Sequence, residues 1–553
     1  MTKSRKISRH YLTLVGIIIL GIILRFWNLA LKPLWLDEVL TAFFSLGHEY
    51  HDLLLDVVFP LSNLDQILTF KPGVSCGEIA HTLATQSTHP PLFFCLIYSW
   101  LNRIGTDRLV WALRSLPALM GVAGILAVYC LNRLAFSKAA ALMAAGLMAV
   151  SPFGVYLSQE ARHYTLPILL ITLALLGLLH IQHSLYFHQQ QPKPIIWILW
   201  GIVNSIGCYV HYFFILVFTA QLLTLTGLMY WHRQRLPRGS WVALILVIVG
   251  VAISYLPWIS VLLADVGRQE TDWLPPPQTI APLFQLLVGG LLMVIALPVE
   301  DQPWWVVVSM GGLMIGFGGW VAWQGFRGVK QLLQQSSTQL ATVTLLGFIV
   351  FVVLQFLGII YLLSKDISVA PRYNFVYFPA ICALLGASLS FEKGKRGRII
   401  LILGVSLLSS ILVVWNWVFL KPFHPEQVAQ TMNQEAAIPM IIIMGYENLQ
   451  DVALGLSVAL EIERLDSGIE RGVGDRSLVF LNRQQGYKLV WKKVSDLSIS
   501  SVPPFNVWVA APGLKRQDYP RRLAIAQQKH CSIDSNNYHR VGNFPYQLYR
   551  CID

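Results

Sequence analysis

Charge is the scarcest property of this chain: Asp, Glu, Lys and Arg make up 13% of its 553 residues, against roughly 25% in soluble domains. With 55% of residues hydrophobic, that shortage excludes a soluble globular protein and indicates a polytopic membrane protein. Acidic residues are fewer than basic ones, 29 against 41, giving a net charge of +12. The excess lies mostly in short loops that face anionic lipid, and nothing calls for a nucleic-acid partner. Zinc-type spacing of histidines with cysteines is missing, so no structural metal site is indicated. A convincing internal repeat is missing too, which counts against a transporter built from inverted halves.

Long apolar runs are what remains. Lys3, Arg5, Lys6 and Arg9 precede the run Tyr11 to Leu31, about 20 residues and enough for the roughly 30 Å hydrocarbon core. A cleaved leader would end at small residues, whereas this run ends in Arg25-Phe26-Trp27-Asn28, so a retained anchor is expected. Further segments read as Leu109 to Leu131, Ala139 to Leu157, Thr165 to Tyr186, Ile195 to Tyr209, Tyr212 to Trp231, Trp241 to Leu263, Trp304 to Trp323, Ala341 to Leu363, Tyr373 to Phe391 and Ile399 to Leu420. Pro91 to Leu101 is too short to span and Pro282 to Leu297 is marginal.

Treating both as non-spanning puts Arg133, Lys138, Lys193, Arg233, Arg235, Arg238, Arg327, Lys330, Lys393, Lys395, Arg396 and Arg398 on the inner side. Only Arg162, Arg268, Lys365 and Arg372 then fall in short outer loops, as the positive-inside bias requires. The expectation is an all-α polytopic domain of about 11 to 13 transmembrane helices in the plasma (inner) membrane, with a cytoplasmic N-terminus.

The membrane domain is expected over residues 1–420, including a first outer loop at 32–107, and an extracytoplasmic α/β domain over 421–553. In the latter, strand-like runs are Met440 to Met444, Leu478 to Leu481, Lys488 to Trp491 and Asn506 to Ala511, and helical patterns are Asp451 to Glu463 and Asp518 to Lys529. It shows no nucleotide loop and no catalytic triad. Cys531 and Cys551 are expected to pair in an oxidising compartment. Cys95, Cys130, Cys208 and Cys382, in or beside apolar segments, read as small hydrophobes.

The unusual polar residues gather on the outer side. Asp37 and Glu38 follow the first span in Lys32-Pro33-Leu34-Trp35-Leu36-Asp37-Glu38, and a charge pair at the lip of a span is costly unless it works. Asp37 is the candidate base, against a plain solvated loop acid. Glu38 would orient an acceptor or assist a divalent metal, but its neighbour on a helix points elsewhere. His89, before Pro90-Pro91, is held extended and aims an imidazole at the cleft mouth, unless it is an interfacial cap. Arg114 lies inside a span and wants a carboxylate or phosphate partner, unless it snorkels. Arg162 and Arg372 suit a phosphate; the rival readings are a Glu160 to Arg162 ion pair and an interface anchor. His211 reads most simply as an aromatic-belt residue and Arg25 as structural.

Trp-Leu-Asp-Glu after span one, His-Pro-Pro-Leu opening the next amphipathic segment, Arg114, Gln-Glu-Ala-Arg-His-Tyr after Ser-Pro, and a late Pro-Arg-Tyr together resemble the GT-C superfamily of integral-membrane glycosyltransferases. The similarity covers about residues 1 to 420 and is nearest to bacterial mannosyltransferase-like and aminoarabinose-transferase-like proteins, related to the protein O-mannosyltransferases. It implies a GT-C fold and inverting transfer of a sugar from a polyprenyl-phosphate carrier to an acceptor hydroxyl on a lipid, glycan or protein. It places Asp37 and Glu38 in the catalytic site and His89, Arg114, Glu160, Arg162, Tyr164, Arg372 and Tyr373 in the substrate site. No other cofactor is implied with certainty. The competing class is a lipid or polysaccharide transporter or flippase, which would carry polar groups at mid-membrane and at inner gates rather than crowded at the outer lip.

Overall fold

The computed structural model describes residues 2–186, 190–265, 273–391, 396–468, 473–499, 503–525 and 529–552; Arg268, Lys393 and Lys395 lie outside them. The chain divides into two compact units. The first comprises Met1–Leu31, Cys76–Trp100 and Asp107–Phe419; the second comprises Lys32–Ser75, Leu101–Thr106 and Leu420–Asp553.

The first unit is helical. Among the described residues eight helices are long and apolar enough to cross a membrane: Arg9–Phe26, Leu109–Ala135, Thr165–Tyr186, Phe214–Trp231, Gly239–Asp265, Trp304–Gln334, Ser336–Leu362 and Arg396–Val414. Several are apolar all round, with outward residues such as Leu246, Ile315 and Val350 exposed, the pattern of helices whose outer face meets lipid. Trp231 and Trp304, 81% and 78% exposed at helix ends, suit the interfacial belt. The expected span Ala139 to Leu157 is broken: Lys138–Val150 and Pro152–Ser158 meet at 58°. Pro152 lacks the N–H that would continue the first helix and opens the second. The Ser151 hydroxyl accepts from the Gly154 N–H and donates to the Met293 carbonyl. Shorter apolar helices are Leu92–Ile104, Pro194–Cys208, Ala281–Leu292 and Phe378–Ser390. All eleven expected segments are therefore helical, two of them as these short helices.

Inside the bundle, Arg25 is buried and donates to the carbonyls of Gly21, Met148 and Ala149 at 2.9–3.2 Å, a helix tie rather than a snorkelling cation. Gly386 lets the Phe378–Phe391 helix lie against Lys138–Val150, since a Cβ there would stand 2.6 Å from the backbone nitrogen of Ala144. Cys95 departs from its expected role: it is bonded to Cys76. Both cysteines lie near the His89 segment, and spacing alone could not select that pair.

The second unit carries a seven-stranded sheet: β1 (Phe59–Pro60), β2 (Met440–Tyr446), β3 (Arg476–Asn482), β4 (Phe505–Ala510), β5 (Arg522–Ile525), β6 (Lys529–Val541) and β7 (Phe544–Cys551), in the order β1-β3-β2-β4-β7-β6-β5. β2 is parallel to β3 and β4 and is buried throughout, as its unbroken apolar run Met440 to Met444 requires of a central parallel strand. The remaining pairs are antiparallel. First-loop residues supply edge strand β1, pairing Phe59 with Leu478.

Two expectations here are corrected. Lys488 to Trp491 is helical, within Tyr487–Ser495, because the inward positions Tyr487, Val490, Trp491 and Val494 follow a helical period that four residues are too few to display. Asp518 to Lys529 is not a helix: Pro520 interrupts it, and Leu523 and Ile525 alternate inward as strand β5. Cys531 and Cys551 are bonded, as expected, between β6 and β7.

Candidate functional site

In the second unit, Asp37 and Glu38 occupy the first turn of the helix Leu36–Ser45, where the exposed N–H groups favour negative charge. The Ser457 hydroxyl, on the helix Leu449–Asp466, donates to the Leu34 carbonyl at 2.5 Å and fixes the approach to that turn. Thr41 Oγ1 donates to the Asp37 carbonyl at 2.9 Å. Adjacent positions on a helix diverge by about 100°, and the two carboxylates part accordingly. Glu38 is fully buried, 3.4 Å from Lys421 Nζ, which is itself buried. Lys421 also lies over the Trp35 ring, 5.7 Å from its centroid. Asp37 is only half-buried.

In the first unit, four loops outside the long helices converge. His89 stands in the turn before Leu92–Ile104. Arg162, His163 and Tyr164 stand in the turn that the bent helix pair delivers to Thr165–Tyr186, and His211 stands between Pro194–Cys208 and Phe214–Trp231. Arg372 and Tyr373 belong to the 3-10 turn Pro371–Val376. Asn374 of that turn packs against Gly289, where a Cβ would stand 1.8 Å from its amide nitrogen.

An arginine NH2 group only donates, so the 3.0 Å contact between Arg162 and His89 Nε2 makes that nitrogen an acceptor. The His89 proton is therefore on Nδ1, donated to Ser87 Oγ at 3.1 Å. His211 has the opposite tautomer: its Nδ1 accepts the Phe213 N–H at 3.0 Å, leaving the proton on Nε2. His163 sits between them, with ring centroids 5.4 Å from His89 and 4.6 Å from His211. Arg162 and Arg372 lie 5.8 and 5.6 Å over the rings of Tyr164 and Tyr373. Burial holds the imidazoles of His89, His163 and His211 well below their ordinary range. Arg162 pushes all three in the same direction, as does Arg372 for His89 and His163. The arrangement is a buried cationic wall lined with neutral imidazoles, suited to an anion.

The other expected residues lie as follows. Arg114 is fully buried and donates to the Leu29 carbonyl at 3.0 Å, so it ties the end of the first span rather than snorkelling. Glu160 is buried in the turn that bears Arg162. Its neighbour Gln159 donates to the Leu24 and Trp27 carbonyls at 3.2 and 2.9 Å, clamping the turn to that same span end. His211 belongs to the buried cluster and not to an interfacial belt. His163 carries no signal of its own beyond standing between Arg162 and Tyr164. Lys421 has only one, a lone cation at the close of the last apolar run. Among the described residues no group of three or more His, Cys, Asp or Glu side chains is arranged to hold a metal ion.

Residues 88–258 match the family model described as dolichyl-phosphate-mannose-protein mannosyltransferase, a stretch containing His89, Arg162, His163 and His211. No curated protein sequence matches the chain. Among solved structures, ArnT from Cupriavidus metallidurans in the apo state is similar over 100% of this chain and 98% of that one, at 12% identity and TM-score 0.53. The same protein bound to undecaprenyl phosphate is similar over 97% of each chain, at 11% identity and TM-score 0.52. AglB from Archaeoglobus fulgidus, with an inhibitory peptide and a dolichol-phosphate, gives 14% identity over 82% of this chain and 64% of that one, at TM-score 0.44. The family match thus covers residues 88–258, and the ArnT-like fold extends along the whole length of the chain.

Proposed function

We propose that this protein transfers a sugar, with inversion, from a polyprenyl-phosphate carrier to an acceptor hydroxyl on the outer face of the membrane. The observation that carries the reading is the buried pairing of Arg162 with neutral His89, beside Arg372. Fixed positive charge in a site of low dielectric matches what a departing lipid phosphate needs. The match to a dolichyl-phosphate-mannose-dependent family and the undecaprenyl phosphate held by ArnT support the same donor class.

Asp37 is the base. It takes the acceptor proton as the acceptor oxygen bonds to the anomeric carbon, and the bond from that carbon to the phosphate oxygen breaks with its electron pair left on the phosphate. Arg162 and Arg372 receive the charge, and Tyr164 and Tyr373 position the two guanidinium groups by stacking. Glu38, neutralised by Lys421, orients the turn that carries Asp37. Arg114 and Glu160 belong to the site as supports of its loops. The acceptor is a lipid, glycan or protein hydroxyl.

The test is transfer by Asp37→Asn protein in liposomes supplied with polyprenyl-phosphate sugar. Retained donor binding with transfer lost is expected; near-normal transfer removes Asp37 from the role of base.

A further inference from the structure

At the ends that the positive-inside bias assigns to the cytoplasmic leaflet, the helices Thr165–Tyr186, Phe214–Trp231 and Ser336–Leu362 leave a groove of about 680 Å³ between them. That is the size of a ligand site, for which about 300–1,000 Å³ is usual. The helix Thr165–Tyr186 puts about 30 Å between this groove and the turn of His163.

The lining is graded. Tyr186, His232, Ser336 and Gln339 stand at the helix ends, whereas Leu223, Gly227, Gly347 and Phe351 lie deeper in the bundle. From Gln339 to Phe351 the groove follows about 18 Å of helix, close to the depth of one leaflet of the roughly 30 Å hydrocarbon core. A Cβ at Gly227 would meet no heavy atom within 4 Å, so the wall there is open rather than packed. A polar mouth above an apolar slot one leaflet deep has the shape of an amphiphile with a long chain.

Two polar groups describe the head of that amphiphile. The buried Tyr186 hydroxyl has no hydrogen-bond partner among the described residues, a costly state that an acceptor on a ligand relieves. His232, its ring 5.0 Å from that of Tyr186, holds Nδ1 3.1 Å from the Leu228 carbonyl. A carbonyl only accepts, so the proton is on Nδ1 and Nε2 is an acceptor. A donor and an acceptor side by side match an ester carbonyl and a headgroup hydroxyl. Charge supplies the rest. Arg233, Arg235 and Arg238 stand just beyond Trp231, and Arg233 lies over the Tyr230 ring, 4.4 Å from its centroid. No Asp or Glu occurs between Glu160 and Asp265 or between Asp301 and Asp366, the stretches that supply every wall of the groove. Basic pockets between spans on the cytoplasmic side suit anionic lipid headgroups.

We propose that this groove is a site for one retained anionic glycerophospholipid of the cytoplasmic leaflet. An acyl chain lies along Gly227 and Gly347, an ester carbonyl accepts from Tyr186, and the phosphate sits beside the connection that bears the arginines. The site is separate from the lipid-phosphate site proposed above and goes beyond that reading: it stands whether or not the protein transfers sugar.

The experiment is native mass spectrometry of the delipidated full chain in detergent, titrated with dioleoyl-phosphatidylglycerol and with dioleoyl-phosphatidylcholine. One phosphatidylglycerol is expected at saturation, held about tenfold more tightly than phosphatidylcholine, with the preference shrinking at high salt as the charges are screened. Gly227→Leu fills the open wall with a better helix former and should abolish that binding. Tyr186→Phe keeps the ring and should weaken it about two- to tenfold, a test that holds even if Gly227→Leu misfolds. Equal binding of the two lipids by the unaltered protein means ordinary boundary lipid and overturns the proposal, as does undiminished phosphatidylglycerol binding by either variant once folded. Farnesyl phosphate should leave the bound phosphatidylglycerol in place; displacement at equal concentration would assign the groove to an isoprenoid chain and overturn the proposal too.

Discussion

The first unit buries cations around imidazoles held neutral, whereas the second buries one carboxylate, Glu38, against one lysine. The first arrangement gathers guanidinium groups and imidazoles from four loops, a chemistry suited to an anion, and the second ties Lys421 to the turn that carries Asp37. On the proposed reading the contrast separates a place for a ligand from a place that holds a turn, with Glu38 serving the turn and Asp37 the chemistry.

The sharpest attempt to break that comparison is Asp37→Asn. It should cost about 10²–10⁴-fold in transfer with folding intact; equal loss in Glu38→Gln with unchanged stability would reverse the two assignments. Next comes Lys421→Met, which strands Glu38 in a buried site and should destabilise the protein by about 3–5 kcal/mol. Pairing it with Glu38→Gln should restore most of the loss, as read by thermal inactivation; additive losses would mean that the two residues are not coupled.

The two disulfides extend the contrast. Cys76–Cys95 and Cys531–Cys551 close loops of similar length, with separations of 19 and 20, so removing either should cost roughly 3 kcal/mol. Only the first brackets His89, so only Cys76→Ser with Cys95→Ser should also weaken lipid-phosphate binding. Equal binding in both double variants would show that the staple does not position His89.

Arg162→Lys loses the NH2 donor to His89 and should weaken lipid-phosphate binding by roughly 1.5–3 kcal/mol, about ten- to hundredfold. A loss no larger than that of a surface Arg→Lys swap would remove Arg162 from the anion site.

Acid acts on the same cluster in small steps, one imidazole at a time. His89, His163 and His211 are neutral when folded, so below the ordinary imidazole value of about 6.5 the unfolded chain takes up protons first and the folded form loses stability. The loss is at most about 1.4 kcal/mol per group and pH unit. Inactivation temperatures should therefore fall from pH 6.5 to 5.5, and less so with farnesyl phosphate bound.

Much of this was legible in the sequence because a helix in lipid must be apolar along its length, and a central parallel strand likewise along its own. Met440 to Met444 and the long runs are such cases. The broken span was not, since Ser151-Pro152 sits inside an unbroken apolar stretch, and a proline there suits a kinked single span as well as the 58° break observed. Arg162 and Arg372 stood out as rare outer cations. The histidine cluster did not, because His89, His163 and His211 are far apart in the chain and share no spacing. Lys421 showed only as a cation at the close of the last apolar run, its partner Glu38 lying far earlier in the chain.

The Ser457 hydroxyl that holds the Leu34 carbonyl reaches across 423 residues of sequence, and β1 pairs with β3 over a comparable distance. During synthesis the segment bearing Asp37 emerges hundreds of residues before its partners Lys421 and Ser457. Closing a contact of such range is entropically slow. Until residues 421–457 are made, the Leu36–Ser45 helix lacks these two partners, so a chain cleaved near residue 420 would keep the long apolar helices and lose contacts that hold the turn of Asp37. Assembly of the protein thus has a built-in order, the first-loop helix settling after the helices that follow it in the chain.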